Sequence, residues 1–327
     1  MGVNLQTLYS VNFFRLKVIE NYKNFEESKK SIVTIGTFDG VHLGHQKIIE
    51  QLVATSKKES CNSVLLTFFP HPRMVIQKDN SIQLIHSIQE RIEVLEKTGL
   101  DYLIIHPFDA DFSRLSAFDF VRDVLVNHLN TAELVVGYDH RFGKNREGNF
   151  EQLEEYSHMY DFRVNEIPAL DVNDISVSST KIRKALYEGD VKKANRYLGH
   201  AFVISGTVVR GERLGNTIGF PTANLEVAES YKLIPKKGAY LVRALLSGTW
   251  VYGMMNIGVR PTVKGDSQTI ETYFFNFDGD LYGETLQLQL LDFLREEQKF
   301  DSVDSLKAQL SKDRSKSMAL LSEMSMS

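Results

Sequence analysis

Residues 31–52 read SIVTIGTFDGVHLGHQKIIEQL, and this stretch decides the character of the first half of the chain. SIVTIG (31–36) is a continuous β-branched run of the kind found in strands buried on both faces. From Gly44 to Lys57 apolar residues recur at three- and four-residue spacing, which predicts a helix. Gly36, Gly40 and Gly44 let the chain turn tightly between the two, at the carboxyl end of a strand, where open α/β sheets bind ligands. His42 and His45 fall at the start of the helix. Backbone N–H groups and the positive end of the helix dipole already favour phosphate there, and two imidazoles add donors. The loop is not a Walker A motif, because Gly-x-x-x-x-Gly-Lys-Ser/Thr occurs nowhere in the chain. A metal reading of the two histidines lacks a third ligand nearby in sequence. Taken alone, His-x-Gly-His is as readily a structural feature as a functional one.

Working outward, SVLLTFF (63–69), DYLIIH (101–106) and ELVVGY (133–138) repeat the buried-strand pattern. Residues 88–97 and 117–128 repeat the helical one, the latter behind a capping pair, Ser116 and Asp119. Strands alternating with helices imply right-handed crossovers and a Rossmann-like, doubly wound α/β layer. After Gly199 the pattern changes. AFVISGTVVR (201–210), GAYLVRALL (238–246), WVYGMMNIG (250–258), IETYFFNF (270–277) and ETLQLQLLDF (284–293) are strands with no helix between them. They are expected to pair antiparallel as a meander or small closed barrel, with a helical tail from about Val303. Residues 187–199 are polar and helical in pattern, so the expected organisation is a domain at 1–186, a linker at 187–199 and a domain at 200–327.

The chain has 327 residues, about twice a single-domain length. Its apolar (43%) and charged (24%) fractions exclude a disordered or fibrous protein. A formal net charge of −4 argues against a protein that coats nucleic acid. One cysteine, Cys61, removes any disulfide framework and suits a reducing compartment. No apolar run approaches the roughly eighteen residues of a membrane span. The first twenty residues lack a secretory signal pattern, and Gln6 stands where a myristoylation site needs Ser or Thr. The expectation is a cytoplasmic protein with small-molecule partners, no nucleic acid, no membrane, and a monomeric or weakly homo-oligomeric state.

Gly36-x-Phe38-Asp39-Gly40-x-His42-x-Gly44-His45 resembles the signature of the nucleotidylyltransferase superfamily in its bacterial FAD synthetase version. Phe69-Pro70-His71-Pro72, the loop from Val136 through Asp139 to Gly143, and Ser178-Ser179-Thr180-Lys181-Ile182-Arg183 resemble its downstream motifs, in order. His140 replaces the commoner Phe. The resemblance implies that Gly36, Phe38, Asp39, Gly40, His42, Gly44, His45, Ser179, Thr180 and Arg183 hold ATP and its phosphates, with His42 and His45 catalytic. It further implies that Pro70, His71, Pro72 and Asp139 bind flavin. In-line attack of an FMN phosphate on the ATP α-phosphorus needs orientation and charge stabilisation, not a protein nucleophile. Outside that resemblance Ser179 and Thr180 read more readily as a helix cap, His71 as a rigid turn and Asp139 as a turn former.

In the second half, Gly206, Gly211, Gly215 and Gly219 lead into Pro221-Thr222-Ala223-Asn224. Glycines this dense let backbone amides close around phosphate. Pro-Thr-Ala-Asn resembles the motif of riboflavin kinases, as do Asn256 to Thr262 and Glu271-Thr272-Tyr273. The resemblance implies that Gly206, Gly211, Gly219, Pro221, Thr222 and Asn224 bind ATP phosphates. Thr222 and Asn224 would hold magnesium, Arg260 and Glu271 would contact flavin, and Glu271 would be the catalytic base. Tyr273 stands where the family usually has His. Without those motifs Glu271 reads as an exposed strand carboxylate.

Together the resemblances imply a bifunctional flavin-cofactor enzyme. It would phosphorylate riboflavin to FMN and adenylylate FMN to FAD, with ATP and Mg2+ required at both steps. Two rivals remain: an adenylyltransferase for another phosphorylated substrate, and a flavin sensor with one or both sites dead.

Overall fold

The computed structural model describes residues 16–77, 81–138, 140–168, 171–172, 175–211, 215, 218–262 and 265–326. The chain divides into two compact units. The first takes the described residues within 1–38, 44–79 and 92–169; the second takes those within 39–43, 80–91 and 170–327.

The first unit is built on a parallel sheet. Its strands are β1 (Lys17–Glu20), β2 (Ser31–Ile35), β3 (Asn62–Phe69), β4 (Tyr102–Pro107), β5 (Thr131–Gly137) and β6 (Arg163–Ile167), in the order β1-β4-β3-β2-β5-β6. Helix α1 (Leu43–Lys58) crosses from β2 to β3, and α2 (Pro72–Ile76) and α3 (Ile88–Leu95) lie between β3 and β4. Helix α4 (Ala117–Asp119) runs on through Phe120–His128 before β5, and α5 (Phe150–Tyr160) precedes β6. The four strands expected from apolar runs are present, and so are the three helices between them. The chain winds outward from β2 through β3 and β4, then from β5 to β6, so the order reverses between β2 and β5. That reversal opens a crevice at the strand carboxyl ends, the usual ligand position in such sheets. Val33, Ile35, Val64, Leu66, Ile104, Leu134 and Val136 form the buried face against Phe120, Val121 and Val124 of the α4 segment.

In the second unit, β9 (Phe202–Val209), β10 (Ala223–Glu226), β11 (Gly238–Leu246), β12 (Thr249–Thr262), β13 (Gly265–Phe274) and β14 (Thr285–Glu296) close a barrel in the order β10-β13-β12-β11-β14-β9. The short strands β7 (Asp171–Val172) and β8 (Ile175–Ser176) form a separate pair. All barrel pairings are antiparallel. Closure leaves no free edge, which removes a template for aggregation. Phe202, Ile204, Tyr240, Val242, Met255, Ile257, Leu288 and Leu290 fill the interior.

Helices α6 (Ser179–Glu188) and α7 (Val191–Leu198) add Ile182, Leu186, Val191, Ala194, Tyr197 and Leu198 to the same core. Residues 187–199 are therefore helical and packed on the barrel. Each helix ends in a left-handed glycine, Gly189 and Gly199, where a side chain would be strained. The last helix, α8 (Val303–Met326), lays Leu306, Leu310, Leu320 and Leu321 on the barrel's outer face. The buried pair Arg295–Asp313 (2.8 Å) anchors it there.

Candidate active sites

Within the first unit, β2 ends at Ile35, and the N–H of the next residue, Gly36, still bonds Leu66 O across the sheet at 3.1 Å. Phe38 then takes a left-handed backbone (φ 46°), which folds its ring back over Gly36. A Cβ on Gly36 would stand 3.1 Å from that ring, so a side chain here would push it aside. The Phe38 ring lies 4.8 Å from that of His45 in the first turn of α1, next to Gly44. On β3, Phe69 and Pro70 lead to His71, which caps α2: its Nδ1 accepts the Arg73 N–H at 3.2 Å, with Pro72 at the first helical position. Asp139 lies outside the described residues. His140, beside it, stacks on Phe142, and burial holds its pKa at about 4, so its ring is neutral at pH 7.

Asp39 and its neighbours belong to the second unit. The Asp39 carboxylate is fully buried and accepts the N–H groups of Ile85 (3.1 Å) and His86 (3.2 Å) and Arg183 Nη2 (2.5 Å). A second guanidinium, that of Arg91, stands 3.9 Å away. Arg183 Nε also donates to Gln83 O, and Ser179 Oγ donates to the Asp39 carbonyl at 2.9 Å. Ser178, not Ser179 or Thr180, is the N-cap of α6, and Thr180 is exposed. Gly40 (φ +88°) is wedged against Ile85 and Leu198, where any Cβ would lie 3.0 Å from a neighbouring carbon. His42 is buried, and desolvation lowers its pKa to about 4 against the opposing pull of Asp39. It is a neutral imidazole at physiological pH.

The kinase-like residues also lie in the second unit. In the barrel register Asn224 of β10 faces Glu271 of β13, and Glu271 in turn faces Asn256 of β12. Directly opposed residues project from the same sheet face, so the three side chains form a row across three strands. Thr222, just before β10, donates its hydroxyl to Glu271 Oε2 at 3.4 Å. Gly211 approaches this row so closely that a Cβ would sit 2.3 Å from Asn224 Nδ2. A Cβ on Gly206 would likewise sit 2.4 Å from Glu226 O, while Gly219 (φ +82°), next to Phe220 and Pro221, faces open space. Ile270, Thr272 and Phe274 are buried, whereas Glu271 and Tyr273 are half-buried on the other face. Tyr273 packs edge-on against Phe220 (5.1 Å) and Phe275 (5.9 Å), within the outer apolar cluster that α8 covers. Arg260 lies in β12, and its side chain is outside the described residues.

Among the described residues no three His, Cys, Asp or Glu side chains gather into a metal cage. Thr222, Asn224 and Glu271 instead offer hydroxyl, amide and carboxylate oxygens, a hard donor set that suits magnesium with several retained waters. Sequence reasoning missed Glu90, Arg91 and Lys232, which the fold buries beside the Asp39 cradle. Their one local signal was Ser87-x-x-Glu90, a capping-box pattern ahead of an apolar run.

A parallel-sheet nucleotide-binding fold with a glycine- and histidine-bearing loop, joined to a barrel bearing a Thr/Asn/Glu row, defines a two-part phosphate-transferring enzyme. Residues 24–181 match the FAD synthetase family and residues 198–321 the riboflavin kinase family. The bifunctional riboflavin kinase/FMN adenylyltransferase of Escherichia coli K12 is 37% identical over 91% of this chain and 96% of its own length. That of Listeria monocytogenes is 36% identical over 90% and 93%. A Streptococcus pneumoniae crystal structure described as a macrolide-efflux protein superposes with a TM-score of 0.84 at 31% identity, over 92% of this chain and 97% of that one. The chain belongs to the bifunctional riboflavin kinase/FMN adenylyltransferase family, with the adenylyltransferase part first and the kinase part second.

Proposed function

We propose that this chain makes FMN from riboflavin and ATP, and FAD from FMN and a second ATP. We assign adenylyl transfer to residues 1–186 and riboflavin phosphorylation to residues 200–327, with 187–199 joining them. The observation that carries the reading is the Thr222–Asn224–Glu271 row, in which β10 and the residue before it meet β13, near Gly219, which faces open space.

In the kinase step the Glu271 carboxylate accepts the proton of the flavin 5′-hydroxyl as that oxygen attacks the γ-phosphorus and ADP leaves. Thr222 orients Glu271 through their hydrogen bond. Thr222 and Asn224 are the residues that would hold Mg2+, which when bound neutralises charge on the phosphates. Gly206, Gly211, Gly219 and Pro221 shape the phosphate-binding turn, and Arg260 contacts flavin.

In adenylyl transfer an FMN phosphate oxygen attacks the ATP α-phosphorus and pyrophosphate leaves. His42, neutral by burial, and His45 serve as hydrogen-bond donors to the developing charge. Amides of the Gly36–Gly44 loop bind phosphate, and Ser179 and Thr180 at the start of α6 are assigned to ATP binding as well. Pro70, His71, Pro72 and Asp139 form the flavin side. The single cysteine suits a reducing compartment, and we place the enzyme in the cytoplasm as a monomer or weak homo-oligomer.

Incubation of the pure protein with riboflavin, ATP and Mg2+, followed by chromatography of the flavins, tests the reading. FMN and FAD together are expected. FAD from added FMN alone would mark the kinase as inactive, and no turnover at all would favour a flavin sensor.

A further inference from the structure

Residues 84–91 have two chemically distinct sides, both within the second unit. On one side, the Ile85 carbonyl accepts Lys232 Nζ at 2.6 Å, and the Glu90 carboxylate accepts the same ammonium at 2.6 Å. Glu90 also accepts the N–H of Ser205, in barrel strand β9, at 3.0 Å. Leu84 bonds Tyr231 O and Leu233 N through its backbone, which sets the register of the segment against residues 231–233. On the other side, the Ile85 and His86 amides and the Arg91 guanidinium face the Asp39 carboxylate. The side chains of Glu90 and Lys232 are each 1% exposed, and Lys232 lies 4.4 Å over the Phe202 ring.

We propose that Lys232 and Glu90 are positioning residues for adenylyl transfer. They hold residues 84–91 so that the amides of Ile85 and His86 fix Asp39, and through it the Gly40–His42 turn. The proposal rests on the reading of His42 as part of the adenylyltransferase site.

Peptide geometry makes the link rigid. The carbonyl that Lys232 grips (Ile85) and an amide that Asp39 grips (His86) are the two ends of one planar peptide unit, so a shift on one side is felt on the other. A buried ion pair held by this many hydrogen bonds tolerates little displacement, because a charge left unpartnered in the interior is strongly unfavourable. Misplacement of a catalytic group by about 1 Å can lower a rate ~10²-fold. A lysine contributed by the chain just before β11 therefore serves chemistry assigned to the amino-terminal part.

The test uses the full-length protein. Lys232→Met is expected to lower kcat for FMN-to-FAD conversion roughly 10- to 100-fold, with KM for ATP and FMN moving less than about threefold. Riboflavin phosphorylation should stay within about threefold of wild type, since no residue of the Thr222–Asn224–Glu271 row belongs to the network. The double variant Glu90→Leu/Lys232→Met removes both charges and should recover thermal stability toward wild type. It should not recover FAD formation. Parallel recovery of melting temperature and FAD formation in the double variant would overturn the proposal, as would equal loss of both activities in Lys232→Met. His42→Ala provides the separate control: unchanged FAD formation there would refute the site reading itself.

Discussion

Arg183 Nη2 stands 2.5 Å from Asp39 Oδ2, joining two residues 144 positions apart in the chain. The pair ties the turn after β2 to helix α6, and Ser179 Oγ on the Asp39 carbonyl ties it a second time. The carboxylate has no exposure, and its oxygens are met by two amides and two guanidinium groups. Such a group shapes a loop by being fully engaged, and its removal is felt as strain throughout the turn.

Replacing Arg183 with Met should therefore destabilise the protein by roughly 3 kcal/mol, the usual range for breaking one side of a buried charge pair. Urea unfolding followed by circular dichroism measures it. Arg183→Lys should recover part of the loss, since one ammonium cannot satisfy both Asp39 and the Gln83 carbonyl in the forked geometry. A loss below about 0.5 kcal/mol for the Met variant would show the pair to be dispensable.

Glu271→Gln keeps the size of the side chain and the strand register but cannot take a proton. FMN formation should fall ~10²- to 10⁴-fold, with little change in riboflavin or ATP binding. Conversion of added FMN to FAD should persist and reports that the chain is folded. Near wild-type phosphorylation would rule Glu271 out as the base and move attention to Asp278 or Asp280.

Gly211→Ala brings a methyl group to within 2.3 Å of Asn224 Nδ2 in the present geometry. The amide must swing away, because neither group can overlap the other. Riboflavin phosphorylation should drop at least about tenfold through loss of that ligand's position. FAD formation from FMN should be unaffected in the same preparation, and an unchanged kinase rate would remove Asn224 from the site.

His106 is buried between Tyr22 and Phe112, its Nδ1 has no hydrogen-bond partner among the described residues, and burial lowers its pKa to about 4. The unfolded chain takes up a proton on this ring near pH 6.5, whereas the folded chain does so only near pH 4. Its contribution to stability is therefore complete above pH 6.5 and is lost as pH falls toward 4, by up to about 3 kcal/mol. His42 and His140 act in the same direction. In His106→Phe the difference in unfolding free energy between pH 7.5 and pH 5 should shrink, measured by denaturant titration at both values. An unaltered difference would show that the ring is already charged, or hydrated, in the folded state.

Strands and helices were legible because their periodicities are local. The alternation of Leu286, Leu288 and Leu290 with Thr285, Gln287 and Gln289 states a one-sided strand without reference to its partner. The family was legible for the same reason: histidines at a helix start and Pro221–Asn224 are motifs contained within a few residues. Partners are another matter. That β10 lies between β9 and β13, bringing Asn224 opposite Glu271, depends on barrel closure, which no local pattern encodes. The short strands β1 and β6 carry mixed polar sequences, KVIE and RVNEI, and join the sheet by hydrogen bonding more than by burial. Glu90 and Lys232 look like ordinary surface charges in sequence. They become a buried pair only because the fold brings together residues 142 positions apart and encloses them where water cannot screen them.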